Sequence, residues 1–289
     1  MPSKSVIEIG AQQLNNGFLE ASAALQSLGP LFGVDGLPSL PPPRPARIGQ
    51  GGLALLDADA PPARIFWNWL GFDYAAIDID GSPGAIPLDL NYDDVPSEAE
   101  GRYGLVTNFG TTEHVANQLN AFKIIHDLTA LDGVMIHQLP AQGMFNHGLV
   151  NYNPKFFWML ARSNAYRFLF ARYSQGQPYP LPENIVEFIA SFEPEKRPSV
   201  ASYAGADAGL LVVMQKTLAI PFVPPLDVQT GSHTEIESLK QRYWTVFDPE
   251  ALASLQARAA AAKDDHASPS GDRPSSLGAL LRAKFRSLM

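Results

Sequence analysis

The sequence predicts an α/β protein: a mostly parallel sheet with helices on both faces, followed by a helical C-terminal extension. Three observations lead there. Short apolar runs of strand length recur along the chain, among them Val6-Ile7-Glu8-Ile9, Ala75-Ala76-Ile77, Leu105-Val106-Thr107, Val134-Met135-Ile136 and Leu210-Leu211-Val212-Val213. Segments of helical periodicity separate most of them, as a parallel sheet with crossover helices requires. Several runs also end in glycine or short polar residues, at the carboxyl edge where open α/β sheets bind ligands.

Composition excludes several classes. A chain of 289 residues with 46% hydrophobic and 17% charged residues can bury a core of its own. A net charge of −8 argues against a nucleic-acid partner, because neutralising phosphates takes clustered Lys and Arg. The absence of cysteine removes disulfides, thiolate metal sites and a cysteine nucleophile. No stretch reads as a signal peptide or a membrane span, so a cytoplasmic location is the default expectation.

The boundaries expected are an α/β domain over 1–230 and a helical extension over 231–289. Ser5 to Gly10 reads as a first buried strand ending in glycine, with a loop to Asn16 and a helix over Phe18–Leu28. Residues 29–62 are rich in proline and glycine and suit a surface insertion or lid, without a long helix or central strand. No Lys-Ser/Thr follows Gly49-Gln50-Gly51-Gly52, so it is not read as a phosphate loop.

A short helix over Pro62–Leu70 leads to a second strand, Asp73 to Asp80. Asp78 and Asp80 at its end suit hydrogen bonds from both hydroxyls of a ribose, and equally a turn before Gly81. Ala85–Asn91 is expected as a third strand, at an edge because of Pro87. The fourth, opening at Tyr103, runs straight into Asn108, Phe109, Gly110, Thr111, Thr112, Glu113 and His114, the expected floor of an active site.

A helix over Asn117–Asp127 is expected to bury Leu119, Phe122, Ile125 and His126 on one side. After a turn at Asp132-Gly133 comes the strand Val134–Leu139, with His137 towards its end. The loop from Gln142 to Asn153 carries Asn146, His147, Asn151 and Tyr152. Pro154 then opens a helix to Asn164. Strands over Tyr166–Tyr173 and Asp207–Thr217 and a helix over Glu235–Phe247 follow. Pro249–Lys263 reads as a further helix, residues 263–275 as a disordered linker, and Leu277–Leu288 as a helix for docking a partner or a second copy.

Taken in order, these pieces over Ser5–Thr217 resemble the class I S-adenosylmethionine-dependent methyltransferases, a Rossmann-like fold. Val6-Ile7-Glu8-Ile9-Gly10 looks like the first motif of that family, and Asp78, with Asp80 beside it, stands where its ribose-binding acid does. Leu88 and Asp89 are similar to the pair that flanks the adenine. Tyr103 to Asn108 resembles the fourth-strand motif, and Glu113-His114-Val115 the step after it. Leu128 to Ile136 resembles the later helix–turn–strand step, with Asp132 in place of a glycine. The resemblance implies S-adenosylmethionine as cofactor, held by Glu8, Gly10, Gln12, Asp78, Asp80, Leu88, Asp89, Asn108, Phe109 and Gly110. The first loop departs from the family pattern: Ala11-Gln12-Gln13-Leu14-Asn15-Asn16 has no further glycine, so a side chain such as Gln12 stands where backbone would approach the cofactor.

Methyl transfer implied in this way needs an acceptor-side base near neutrality, and His114, then His147, are the candidates. Glu113, His137, Asn146, Asn151 and Tyr152 are candidates for holding a polar small-molecule or glycan-type acceptor. Two readings stand beside this one. The first is a methyltransferase-like scaffold without turnover, binding a partner through its C-terminal helices. The second is an open Fe(II) or Zn site made from the same histidines and Glu113, against which the order of elements argues, so that no metal is expected.

Overall fold

Period-two alternation divides the core between the two faces of the sheet. Along β1 (Ser5–Ile9), Ile7 and Ile9 join one apolar cluster while Val6 joins the other. The structure, a computed structural model, describes residues 2–14, 22–39, 47–48, 54–55, 60–79, 82, 84–144, 147–175, 207–228 and 235–265.

Six strands form the main sheet in the order β4 (Asp73–Ile77), β1, β5 (Tyr103–Phe109), β6 (Thr129–Gln142), β8 (Ala208–Gln215) and β7 (Arg167–Gln175). The β4–β1, β1–β5 and β5–β6 pairs are parallel, and β8 runs antiparallel to both of its neighbours. The carboxyl ends of β4, β1, β5 and β6 therefore share one edge. Helix α3 (Gln118–Leu128) and helix α4 (Pro154–Ser163) cover one face, packing Phe122, Ile125, Phe157 and Leu160 onto Ile7, Ile9, Val106 and Met135. On the other face, α2 (Arg64–Trp69) brings Trp67 onto Val6, Leu105 and Val134, and Leu28 of α1 (Ser22–Leu28) adds to it. The α/β class with helices on both faces is the one expected.

Helix ends follow their caps. The side chain of Asn117 accepts from Asn120 N at the start of α3, and that of Asn153 from Lys155 N ahead of Pro154 in α4. At the other end of α3, buried Lys216 donates from Nζ to the carbonyls of His126 and Thr129. Burial pushes its ammonium down to about 8. His126 is packed under this end, its Nε2 on Ile220 O and its Nδ1 on Tyr166 Oη.

Several elements differ from expectation. Residues 85–91 form no strand: Ile86 makes a single parallel bridge to Ile77. Pro87 has no N–H to extend it, and the Asp89 carboxylate draws the chain into a turn by accepting from Asn91 N. Leu119 is exposed rather than buried in α3: it stands in the first turn at the margin of the buried face, about 120° around the helix from Ile125. The turn at Asp132-Gly133 lies within the extent of β6, with Asp132 at φ 63° and a shift in its pairing with β5. Gly133 fits where a Cβ would come within 2.7 Å of Ala130 O. The helix expected over 235–247 is two, α5 (Glu237–Arg242) and α6 (Trp244–Phe247), parted where Tyr243 leaves helical geometry at ψ 37°.

Within 29–62 the described pieces are a 3-10 turn, Gly29–Phe32, and a short antiparallel pair, β2 (Arg47–Ile48) with β3 (Ala54–Leu55). Helix α7 (Pro249–Asp265) follows α6, which docks on α4 through a hydrogen bond from Thr245 Oγ1 to Ser163 O. No helix among the described residues is long and apolar enough to cross a membrane. The linker expected near 263–275 lies largely outside the described residues, and the helix over 277–288 wholly so.

Candidate active site

Gly10, Asp78 and Asn108 stand at the ends of three neighbouring parallel strands. Ile9 at the end of β1 is in register with Ile77 of β4 on one side and with Asn108 of β5 on the other. Gly10 turns the chain with φ 80°, a conformation that favours glycine. A Cβ there would lie 2.3 Å from Thr111 Oγ1, which itself donates to Ile9 O over 2.6 Å. Thr111, within the stretch expected as the floor, is thus the side chain closing over Gly10.

The backbone amides of the first loop are held in sequence. Gly10 N donates to Ile77 O, Ala11 N to Asp78 Oδ2 at 2.9 Å, and Gln12 N to Glu8 Oε2 at 3.1 Å. Gln12 turns its side-chain amide back onto Gly10 O. Glu8 lies on the α2 face, almost wholly buried, and takes two more donors, Trp67 Nε1 and Tyr74 Oη, each at 2.7 Å. Burial raises its carboxyl above the usual range, against the pull of these three hydrogen bonds. The same burial, with the Glu8 charge beside it, raises the Tyr74 phenol.

On the opposite face Asn108 is fully buried and ties the floor together. Its Nδ2 donates to Thr112 Oγ1 at 2.8 Å and lies 3.3 Å from His137 Nδ1, while its Oδ1 accepts from Thr112 N. His137 packs beside the rings of Phe122 and Phe157, where burial holds its imidazole down at about 3, in the neutral form. Tyr152 is buried too, its hydroxyl donating within a hub with Thr112 Oγ1 and Gln118 Oε1. Leu88 is buried in the core, and Asp89 is half-buried within the turn it holds with Asn91 and Asp93. Phe109 is half-buried and Gly110, at φ 71°, is exposed. Asp80 and Asn146 lie outside the described residues.

Glu113, His114 and His147 come together. The 3-10 turn Thr112–His114 buries the side chain of Glu113 completely and leaves His114 half exposed. The loop after β6 is fastened to this turn by Leu149 N and Val150 N, which both donate to Glu113 O. Gly148 fits against it where a Cβ would be 2.7 Å from Glu113 Cγ. So anchored, His147 puts Nε2 3.2 Å from Glu113 Oε1, and His114 puts its Nε2 3.9 Å from the same oxygen. Asn151 instead donates to Gly143 O at the exterior.

Thr111 and Thr112 belong to the stretch expected as the floor, whereas Trp67, Tyr74 and Gln118 take part in the site without any expectation from the sequence. Thr111 and Thr112 sit inside the polar stretch after β5, a signal that was present. Trp67 and Tyr74 lie 59 and 66 residues from Glu8 and carry no local sign of the contact.

A family model described as a methyltransferase domain matches residues 3–193. No curated protein matches the sequence. Among solved structures the chain is similar to the StiE O-methyltransferase domain, at 17% identity and TM-score 0.34, over 53% of this chain and 62% of that one, less than two thirds of its length. It is also similar to an O-methyltransferase from a trans-AT polyketide synthase multienzyme of Brevibacillus brevis, in complex with S-adenosyl-L-homocysteine. There the identity is 10% and the TM-score 0.37, over 94% of this chain and 81% of that one. A third is the 1,6-didemethyltoxoflavin-N1-methyltransferase of Burkholderia thailandensis, at 14% identity and TM-score 0.35, over 69% and 78%.

Proposed function

Because the chain belongs to the class I S-adenosylmethionine-dependent methyltransferase family, we propose that it transfers the methyl group of S-adenosylmethionine to a hydroxyl or amine of a polar small-molecule or glycan-type acceptor. The observation that carries this reading is the alignment of Gly10, Asp78 and Asn108 along one sheet edge through the register of Ile9 with Ile77 and Asn108. It is the edge at which an α/β sheet receives a nucleoside.

The sulfonium of the bound cofactor supplies an activated methyl group; the chain supplies alignment, exclusion of water and a proton acceptor. Asp78, half-buried and hydrogen-bonded to Ala11 N, would accept from the ribose hydroxyls. Ile79 beside it is 70% exposed and offers an apolar surface to a nucleobase. Glu8, locked by Trp67 and Tyr74, would set the position of the first loop through Gln12 N.

For the base, geometry favours His147 over His114. A hydrogen bond from His147 Nε2 to the Glu113 carboxylate puts the ring proton on Nε2, which leaves Nδ1 with the lone pair that accepts a proton. His114, at 3.9 Å, is beyond hydrogen-bond range of that oxygen.

Calorimetry with S-adenosylhomocysteine, followed by methyl transfer to a panel of polyols, phenols and amines, tests the reading. Binding together with turnover on one of these classes is expected. No binding at millimolar cofactor removes the reading, and binding without turnover on any acceptor would return the scaffold alternative.

A further inference from the structure

We propose that Glu113, His114 and His147 form a binding site for one divalent transition-metal ion of the zinc type. One ligand atom from each, the carboxylate oxygen and the two imidazole nitrogens, lie within 4.8 Å of one another. Ligands about 2.0–2.2 Å from a tetrahedral ion stand about 3.3–3.6 Å apart. The Glu113–His147 separation of 3.2 Å and the Glu113–His114 separation of 3.9 Å bracket that spacing. With the two rings 5.2 Å apart between centroids, small rotations of exposed side chains close the set.

Two further observations point to a cation. The Glu113 side chain is fully buried, and among the described residues its Oε2 has no hydrogen-bond partner. Its ion-pair partners among the described residues are these two histidines alone, with no Lys or Arg beside it. A buried carboxylate so poor in donors is stabilised by an ion that binds one oxygen and neutralises both. The backbone is also set in advance. Leu149 N and Val150 N pin the His147 loop to Glu113 O, and His114 N is held on Thr111 O. Two imidazoles and one carboxylate suit zinc or ferrous ions rather than magnesium, and leave at least one coordination position for water or a polar oxygen.

The site does not depend on the methyl-transfer reading. A bound ion would displace the Nε2 proton of His147, so the metal-loaded chain and the general base described above are alternative states of one side chain.

The test uses the full chain stripped with a chelator and titrated with Zn²⁺, with Co²⁺ as spectroscopic probe and Mg²⁺ as control. Expected are one equivalent of Zn²⁺ taken up, a Co²⁺ visible spectrum of low coordination number, and no competition from Mg²⁺. His114→Ala and His147→Ala, both at half-exposed positions that leave the core untouched, should each weaken Zn²⁺ binding at least tenfold. Absence of stoichiometric uptake, or affinity unchanged in both variants, overturns the proposal. S-adenosylhomocysteine binding measured on the same preparation separates the two ideas: retained cofactor binding without metal uptake removes the metal site alone, and the converse leaves it standing while removing the methyltransferase reading.

Discussion

Trp67 Nε1 donates to Glu8 Oε1 over 2.7 Å, joining the middle of β1 to α2 across one face of the sheet. The bond reaches a carboxylate already taken out of water, where a donor to a charged acceptor matters more than at a surface. Trp67→Phe keeps the ring and removes the N–H, leaving Oε1 without that partner. Urea denaturation should show a loss of about 1–3 kcal/mol, the range for an unsatisfied buried group. A midpoint unchanged from the parent would mean that Glu8 finds another donor.

Asp78 holds Ala11 N and is the proposed ribose ligand. Asp78→Ala should weaken S-adenosylhomocysteine binding by about tenfold or more, since hydrogen bonds to a charged group contribute about 1.5–3 kcal/mol. Calorimetry measures it directly. An unaltered affinity would remove Asp78 from the cofactor site.

Much of the frame was legible because local pattern and tertiary need agree. Val6-Ile7-Glu8-Ile9-Gly10 alternates between two buried faces and ends in a glycine whose φ of 80° the turn demands. Tyr103–Phe109 followed by Thr112–His114 reads the same way. What was not legible depends on partners far along the chain. Residues 85–91 carry apolar residues of strand type, yet only Ile86 bridges to a strand, because Pro87 lacks an N–H and Asp89 turns the backbone. Nothing local to the loop shows that the Tyr152 hydroxyl meets Thr112 and Gln118, 40 and 34 residues away. The contact of His147 with Glu113, 34 residues away, likewise has no local sign in the sequence.

Removal of the proposed base should separate chemistry from binding. His147→Ala should lower kcat by about 10²–10⁴, the usual scale of general-base catalysis, while S-adenosylhomocysteine affinity stays the same. His114→Ala should cost less, because its nitrogen makes no hydrogen bond to Glu113 Oε1. Unchanged turnover in both variants excludes this base; equal losses in both would point to the pair acting together.

Gly10 and Thr111 can be tested as a pair. Gly10→Ala forces a non-glycine residue to φ 80° and drives its Cβ to 2.3 Å from Thr111 Oγ1. A loss of about 1–3 kcal/mol from the backbone alone is expected, with the clash added to it. Thr111→Ala removes Oγ1 and Cγ2, so Gly10→Ala should cost less on that background than in the parent. The coupling, read from denaturation of the four proteins, should exceed about 0.5 kcal/mol. Strict additivity would show that the Thr111 side chain swings aside freely.

Stability should fall in mild acid, through two imidazoles buried in the neutral form. Burial holds His126 down at about 4, aided by the charge of Lys216, and burial alone holds His137 at about 3. The unfolded value is near 6.5, so as pH falls the unfolded chain takes up both protons first. Their stabilising contribution is complete above about pH 6.5 and declines below it, reaching its floor only near the folded values. Each imidazole adds a slope of about 1.4 kcal/mol per pH unit inside that window. Glu8 works in the opposite sense: its raised carboxyl is protonated first in the folded chain, which offsets part of the loss as pH falls through its folded value and is complete below its unfolded one. Urea denaturation at pH 7, 6 and 5 should therefore show progressively lower midpoints. In His126→Gln the slope should drop by one proton's share, because Tyr166 Oη and Ile220 O would then face an amide that does not titrate. A profile between pH 7 and 5 that is flat in the parent and unchanged in His126→Gln would mean that the His126 ring is not held neutral.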